Sequence, residues 1–369
     1  MAKLPPLPFH VLSAFAPTAG TGSQAAVIIY PSISDPRWLD DSWLQKVSAD
    51  FNYTATVHIA PIPSPTTPSS SALTKLQSNP YDKGDDGDGQ EVSWEIRWFT
   101  AVSELALCGH GTIASSYLLF QKYPSLNQIN YVNPIAGKFI ARRSDGSFQA
   151  QAQDQRKMQS KSKKSQLVEI NLPSLPSEVI STFGKGIDTD MIKVEKRHPD
   201  YDKLIKAIKI KNKNDLLDIS EFKYGDRKSF IILIKGDVDL KALDVDITSL
   251  GNIASGQNIV TQITTHSSND NDKTLEIQSR MFFPGAGIPE DTITGSAHTY
   301  LTNYYLSSPA SKFLPVELQE TPGDVVIHAT QLSQRGGGMN CILGDGVVRL
   351  IGRVREFGRG ELVEDDDED

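Results

Sequence analysis

The sequence predicts an α+β protein that consists of two similar domains. Short stretches of alternating or β-branched residues, which are typical of strands, recur along the chain, and only a few stretches have helical spacing. One short pattern also occurs twice, near residue 110 and again near residue 296. Because half the chain separates the two copies, the repeat indicates that one domain was duplicated.

The composition indicates a globular protein and argues against two classes of partner. The chain has 369 residues, of which 38% are apolar and 22% charged, and its net charge is −8. General nucleic-acid binders and membrane-surface binders need a positive field, so we expect neither partner. Prolines break the N-terminal apolar run, which predicts no signal peptide. Only two cysteines occur, Cys108 and Cys341, which indicates a reducing compartment such as the cytoplasm.

The strand and helix signals follow one another in a mixed order. HVLSAF (10–15) and AAVIIY (25–30) predict two strands, and LDDSWLQKVSADF (39–51) predicts a helix. TATVHIAPI and EVSWEIRWFT predict further strands on either side of a polar insertion at 63–90. A second series of such signals runs from LVEINLP to VVRLIGRVREF, and the terminal EDDDED predicts a disordered tail at 364–369.

The repeated pattern places titratable groups at the start of a helix. The first copy reads ELALCGHGTIASSY from Glu104, and the second reads EDTITGSAHTYLTN from Glu290. Aligned without gaps, Gly109 falls on Gly295, at an offset of 186 (295 − 109). A strand with an arginine and aromatic residues precedes each copy, as RWF and RMFF. Each copy therefore continues from a strand through an acid, a polar loop and a glycine into a helix.

Two such helix ends that face one cleft would bind a carboxylic acid. The first turn of a helix offers unpaired N–H groups and a positive dipole end, and a glycine lets a ligand approach the backbone. Four reactive side chains would surround the acid: Cys108, His110, Asp291 and Ser296. Side chains of these types can move a proton at the carbon beside a carboxylate.

The segments RWFTAVSELALCGHGTIAS and FFPGAGIPEDTITGSAH resemble the two signature segments of the PhzF-like phenazine-biosynthesis family. The resemblance covers most of the chain and implies the fold of diaminopimelate epimerase. In that fold each domain is a curved, mostly antiparallel sheet around a central helix, and the active site lies between the domains. The resemblance further implies an isomerase that needs no cofactor or metal, acts on a small amino or hydroxy carboxylic acid or a cyclic carboxylate, and forms a homodimer.

The resemblance also predicts how the chain divides. We expect a first domain at 1–133, which contains the insertion at 63–90, and a second domain at 134–350. A closing strand at 351–363 would return to the first domain.

Site residues carry over from the family position by position. The family's cleft histidine matches His110, its cleft aspartate matches Asp291, and its carboxylate-binding serine matches Ser296. Backbone N–H groups at Gly109 and Gly295 would also hold the acid. The family's opening loop usually reads Gly-Asn-Pro, and the corresponding residues here are candidate substrate contacts: Ser23 and Gln24, after Gly22.

At one position the sequence departs from the family's chemistry. The proton-shuttling glutamate lies in a motif like N-x-S-E-T, and the matching stretch here is NYTAT, with Ala55 in place of the glutamate. A methyl group carries no proton, so another group must take this role. Cys108 is a candidate, because a helix N-terminus and His110 would both favour its thiolate. Three functions stay open: proton transfer by Cys108, His110 or Asp291, a changed reaction such as a dehydration or cyclisation, and non-catalytic binding of a small molecule.

Simpler interpretations of the same residues also stay open. Cys108 fits a small buried residue before a helix, and Asp291 and Ser296 fit a helix cap and its neighbour. His298 fits packing within the second helix. The remaining histidines have no metal-ligand spacing, so we expect no metal site.

Overall fold

The structure, a computed structural model, describes residues 4–63, 93–144, 167–173, 181–182, 198–269, 272–307 and 309–363. Apart from Pro63, the predicted insertion lies outside these residues, as does the acidic tail. The chain divides into two compact units. The first contains the described residues of 1–19, 23–171 and 351–369, and the second contains those of 20–22 and 172–350.

The first unit is built on a mostly antiparallel sheet. Its strands are β1 (Leu7–Ala14), β2 (Ser23–Ile29), β3 (Ala55–Pro61), β4 (Ser93–Phe99), β5 (Glu104–Leu105), β6 (Gln128–Asn133), β7 (Gly137–Ser144) and β8 (Leu167–Pro173). Helix α1 (Asp41–Phe51) precedes β3, and helix α2 (Gly109–Lys122) precedes β6. The strands are hydrogen-bonded in the order β1-β2-β3-β4-β6-β7-β8, in which β2–β3 and β4–β6 are parallel.

The second unit contains a sheet of the same kind. Its strands are β9 (Ser181–Thr182), β10 (Leu216–Tyr224), β11 (Arg227–Ile234), β12 (Asn258–Asn269), β13 (Asp272–Phe282), β14 (Val326–Gln331) and β15 (Gly337–Leu343). Its helices are α3 (Tyr201–Ile208), α4 (Ile247–Ile253), α5 (Gly295–Leu306) and α6 (Val316–Glu320). The parallel pairs are β11–β12 and β13–β14. The last strand, β16 (Val347–Leu362), begins in this unit and ends in the first, where it pairs with β1.

Both units repeat one arrangement of hairpins and helices. The antiparallel pairs β1–β2, β3–β4 and β6–β7 of the first unit correspond to β10–β11, β12–β13 and β14–β15 of the second. Helix α1 corresponds to α4, and α2 corresponds to α5. We call α2 and α5 the central helices. They begin at Gly109 and Gly295, the two glycines that the repeated sequence pattern aligns.

An ion pair occupies the same place in each unit. On β4, the Arg97 guanidinium donates to both carboxylate oxygens of Glu104, at 2.7 Å each. On β13, Arg280 binds Glu290 in the same way, at 2.7 and 3.0 Å. Each guanidinium also lies over the aromatic ring two residues later, 5.1 Å from its centroid. The structure therefore repeats the features that the two sequence copies share.

Small polar residues in the central helices satisfy their own hydroxyl groups, which explains how they tolerate burial. The hydroxyls of Thr112, Ser115 and Ser116 on α2 each donate to the carbonyl four residues earlier. Thr299 and Thr302 on α5 do the same. These bonds leave no buried hydroxyl without a partner along the helix surface. In the described part of the chain, no helix is both long and apolar enough to cross a membrane.

The boundary between the units lies later than the sequence predicts. A boundary after residue 133 would separate β6 from β7, yet these strands pair along their whole length. Strand β7 also pairs with β8, so β7 and most of β8 belong to the first unit, whose second segment runs to Asn171. The turn between β6 and β7 has the sequence NPIAG, and the Asn133 side chain closes it: Asn133 Oδ1 accepts the N–H groups of Ile135 and Ala136.

We expect Arg280→Met to lower the free energy of unfolding by about 3 kcal/mol, because it leaves the Glu290 carboxylate without its partner in a largely covered site. The Arg280 side chain is only 11% exposed. Lys213→Met provides the control, since Lys213 pairs with Asp202 while 59% exposed. That change should cost less than about 1 kcal/mol. Urea denaturation of both variants measures the difference, and equal losses would contradict the expectation.

Candidate functional site

The N-terminus of α2 brings a thiol, an imidazole and a hydroxyl group together. Cys108 is the N-cap of the helix, with extended backbone (φ −140°, ψ 101°), and its Sγ accepts the N–H of Gly111 at 3.4 Å. His110 Nδ1 lies 3.4 Å from the same sulfur. His110 Nε2 lies 3.8 Å from that sulfur and 3.3 Å from Thr54 Oγ1. We call Cys108, His110 and Thr54 the first half-site.

The direction of these hydrogen bonds follows from Thr54. Its hydroxyl proton is donated to the carbonyl oxygen of Gln24, at 2.9 Å. The other contacts to Thr54 Oγ1 must therefore donate to it, which gives His110 a proton on Nε2. Nδ1, which then carries no proton, is the ring nitrogen nearer to Cys108 Sγ, at 3.4 Å against 3.8 Å for Nε2. The pair is arranged so that the imidazole can accept the thiol proton and leave a thiolate at a helix N-terminus.

The two opening-loop residues support Thr54. Ser23 is fully buried, and its Oγ lies 2.9 Å from Thr54 Oγ1, while Gln24 holds Thr54 through its carbonyl oxygen. Both residues therefore position His110 through Thr54. Their direct contact with a substrate stays a prediction.

Ala55 lies beside the first half-site. It is fully buried at the start of β3, and it shares a face of that strand with Val57 because alternate residues of a strand point the same way. Val57 packs closely against Gly111 in the first turn of α2. There is no room for a side chain on Gly111, because a Cβ there would lie 2.8 Å from Val57 Cγ2 and 3.1 Å from Cys108 Sγ. Position 55, where the family motif has its glutamate, is thus on the face of β3 that packs against the start of α2.

The N-terminus of α5 carries a different set of groups. Thr294 is its N-cap, but the Thr294 hydroxyl donates to Asp291 Oδ2, at 2.5 Å, and makes no cap bond. Asp291 Oδ1 accepts the N–H of Thr292 at 2.8 Å. Gln331 closes the loop, since its Oε1 accepts the N–H of Thr294 and its Nε2 donates to the Asp291 carbonyl. Asp291 therefore shapes the loop before the helix, and its carboxylate is half-buried. A catalytic role for Asp291 stays a prediction.

Ser296 lies in the first turn of α5 and receives a hydrogen bond that the sequence did not reveal. Gln257 Nε2 donates to Ser296 Oγ at 2.9 Å. We call Asp291, Ser296 and Gln257 the second half-site. The sequence signal was weak, because Gln257, just before β12, and Gln331, at the end of β14, lie far from the motif and carry no catalytic residue type. Their pairing with the helix end became visible only in the folded chain.

His298 belongs to the interior of α5. It is fully buried, with Nδ1 2.7 Å from the carbonyl oxygen of Thr294 and Nε2 3.3 Å from Ser279 Oγ. A carbonyl only accepts, so Nδ1 carries the proton. Burial lowers the pKa of His298 to about 4, so the ring is neutral at neutral pH. Elsewhere among the described residues, no group of three His, Cys, Asp or Glu side chains could hold a metal ion.

The low pKa of His298 predicts a pH-dependent stability. The folded imidazole stays neutral down to about pH 4, whereas the unfolded one binds a proton below its ordinary pKa of 6.5. Protons therefore favour the unfolded chain as the pH falls through this window, and His298 alone should remove about 2 kcal/mol of stability between pH 7 and pH 5. Urea denaturation at several pH values should show a shallower fall in His298→Gln. The exposed His266→Gln should follow the wild type, and an unchanged slope in His298→Gln would contradict the expectation.

Comparison with known proteins identifies the family. The model of the family described as phenazine biosynthesis-like protein, PhzC-PhzF, matches residues 12–353. The chain belongs to the PhzF family. Among curated PhzF relatives, an uncharacterized isomerase from Halalkalibacterium halodurans is 27% identical over 96% of this chain and 98% of its own length. A phenazine biosynthesis-like domain-containing protein from Homo sapiens is 25% identical over 97% of this chain and 99% of its own length.

A solved structure supports the same fold. The crystal structure of a PhzF-family protein from Enterococcus faecalis covers 98% of this chain and 100% of its own, with a TM-score of 0.61 and 20% identity. At this identity the likeness concerns the fold. The predicted α+β fold of the PhzF family, which is diaminopimelate-epimerase-like, is therefore confirmed.

Proposed function

We propose that this PhzF-family protein moves a proton at a carbon atom of a small amino or hydroxy carboxylic acid. The observation that carries the proposal is the hydrogen-bonded series from Cys108 through His110 to Thr54 at the N-terminus of α2. The relative from Halalkalibacterium halodurans bears the name isomerase, which agrees with chemistry of this kind.

The first half-site would carry the proton. His110 Nδ1 accepts the Cys108 proton, and the thiolate then removes a proton from the substrate carbon, so that the C–H electron pair moves into the adjacent carboxylate. The imidazolium returns one proton to carbon, at another face or another position, and both side chains regain their starting forms. The N–H of Gly111, which already bonds to Sγ, stabilises the thiolate.

The second half-site would hold the acid. The first turn of α5 offers backbone N–H groups at Gly295 and Ser296 and the Ser296 hydroxyl, and the helix dipole favours a negative group there. Gly109 offers the corresponding N–H at α2. The family resemblance suggests that both half-sites serve one substrate molecule, with Asp291 and His110 beside its amine or hydroxyl group.

Solvent deuterium exchange tests this proposal directly. We expect the protein to incorporate deuterium from heavy water at the α-carbon of one or more acids in a panel of amino and hydroxy acids, read by NMR. Cys108→Ala should lower the exchange rate by about 100-fold or more, because general acid–base groups contribute that much. Cys341→Ala, which alters the buried cysteine on β15, is the matched control and should keep the rate. Full exchange by Cys108→Ala would exclude the thiol as the proton carrier.

Ala55 favours a second candidate function, in which the protein binds an acid without moving its proton or performs a changed reaction. In that case wild type should bind acids in the panel and show no exchange, whereas Ala55→Glu should gain exchange by restoring a carboxylate beside the first half-site. Ala55→Gln controls for the added bulk at this buried position, and the circular dichroism of both variants reports whether they fold. Exchange by wild type would reject the binding-only function.

A further inference from the structure

Gln257 is a buried amide whose acceptor atom lacks a partner. The residue is 2% exposed, and its Nε2 is engaged with Ser296. Its Oε1 is buried and has no hydrogen-bond partner among the described residues. A buried acceptor left unsatisfied costs about 1–3 kcal/mol, so its retention beside a helix N-terminus indicates a ligand that donates to it.

The repeat gives Gln257 a counterpart in the first unit. In each unit an aromatic residue follows the repeated arginine by two positions. Phe99 on β4 lies opposite Thr56 on β3, and Phe282 on β13 lies opposite Asn258 on β12. Asn258 therefore corresponds to Thr56, and Gln257, one residue earlier, corresponds to Ala55. The strand position that carries the family's glutamate in the first unit is thus occupied in the second unit by an amide.

The helix ends correspond as well. His110 and Ser296 are each the second residue of a central helix, and each contacts a side chain at the start of the neighbouring strand. In the first unit that contact goes to Thr54, and in the second it goes to Gln257. In both units a side chain next to the start of a strand therefore holds the second residue of the central helix, and Gln257 does so from a position one residue later than that of Thr54.

We propose that Gln257 is a substrate-binding residue that selects acids with an N–H or O–H donor next to the carboxylate. The inference rests on the proposed function for one point, the binding of the acid at the N-terminus of α5. Because Nε2 donates to Ser296 Oγ, the Ser296 hydroxyl keeps its own proton to donate to a carboxylate oxygen. The unpartnered Oε1 accepts the neighbouring amine or hydroxyl. A single amide thereby recognises two adjacent groups of one ligand.

As an amide, Gln257 can bind the acid but cannot act as its general acid or base. A carboxamide neither gives nor takes a proton near neutral pH, so Gln257 binds and orients the acid and does not carry its proton. A site that hydrogen-bonds a substrate donor discriminates strongly against the analogue that lacks it, because the buried acceptor is then left unpaired. The selected class is therefore α-amino and α-hydroxy acids, in preference to their parent acids.

Ligand-observed NMR on the full chain tests this inference with a library of small carboxylic acids in matched sets of three: each parent acid, its α-amino derivative and its α-hydroxy derivative. We expect wild type to bind at least one derivative about ten-fold more tightly than its parent, which corresponds to about 1.4 kcal/mol. Gln257→Met keeps the length of the side chain and removes the acceptor, and it should reduce that preference to within about two-fold. Gln262→Met, which changes a buried and paired amide on β12, should leave the preference intact.

The outcomes separate this inference from the proposed function. A preference that survives Gln257→Met, a wild type that does not distinguish derivative from parent, or a wild type that binds none of the acids would each overturn the role of Gln257. Binding with the expected preference but without deuterium exchange would uphold Gln257 and reject proton transfer. Deuterium exchange at the same rate in wild type and Gln257→Met would uphold proton transfer and reject the role of Gln257. Urea denaturation provides a further check: Gln257→Met should change the free energy of unfolding by less than about 1 kcal/mol, because it removes an unsatisfied acceptor together with the hydrogen bond to Ser296.

Discussion

The ion pair between a strand arginine and the acid that precedes each central helix fixes the geometry on which both half-sites depend. Arg97 and Arg280 are largely covered, and a covered guanidinium is stable only when it is fully paired. Its partner lies five residues before the helix start in each unit (109 − 104 and 295 − 290). The pair therefore anchors the short loop that decides where the helix begins and which residues surround its first N–H groups.

The two units share this arrangement but carry different side chains at the starts of their central helices. The N-cap is a cysteine in one and a threonine in the other, and the second helical residue is a histidine in one and a serine in the other. Cysteine and histidine exchange protons readily, whereas threonine, serine and glutamine only form hydrogen bonds. The duplicated frame thus separates two tasks that the proposed reaction needs, the transfer of a proton and the binding of an acid.

Sequence reasoning located the parts of the site that local patterns specify. Gly109 and Gly295 mark helix starts because a glycine follows the loop and a helical run follows the glycine, so both starts were predictable. Thr54, Gln257 and Gln331 were missed because strand pairing brings them to the helix ends from distant positions. The domain boundary was wrong for a related reason: it was placed at the turn after Asn133, and the sequence did not show that the strands on either side of this turn pair with each other. Polar residues that reach a site through strand pairing leave no periodic pattern in the sequence.

The alanine at position 55 is consistent with a site in which Cys108 and His110 carry the proton. A glutamate there would place a carboxylate on a fully buried strand position, which is costly unless a cation or several donors stabilise it. Ala55 avoids that cost. Cys108 Sγ lies 3.4 Å from His110 Nδ1, so a proton can pass between these two side chains without a carboxylate at position 55. The same substitution that removes the family's proton carrier therefore also removes the need to stabilise a buried carboxylate beside Cys108 and His110.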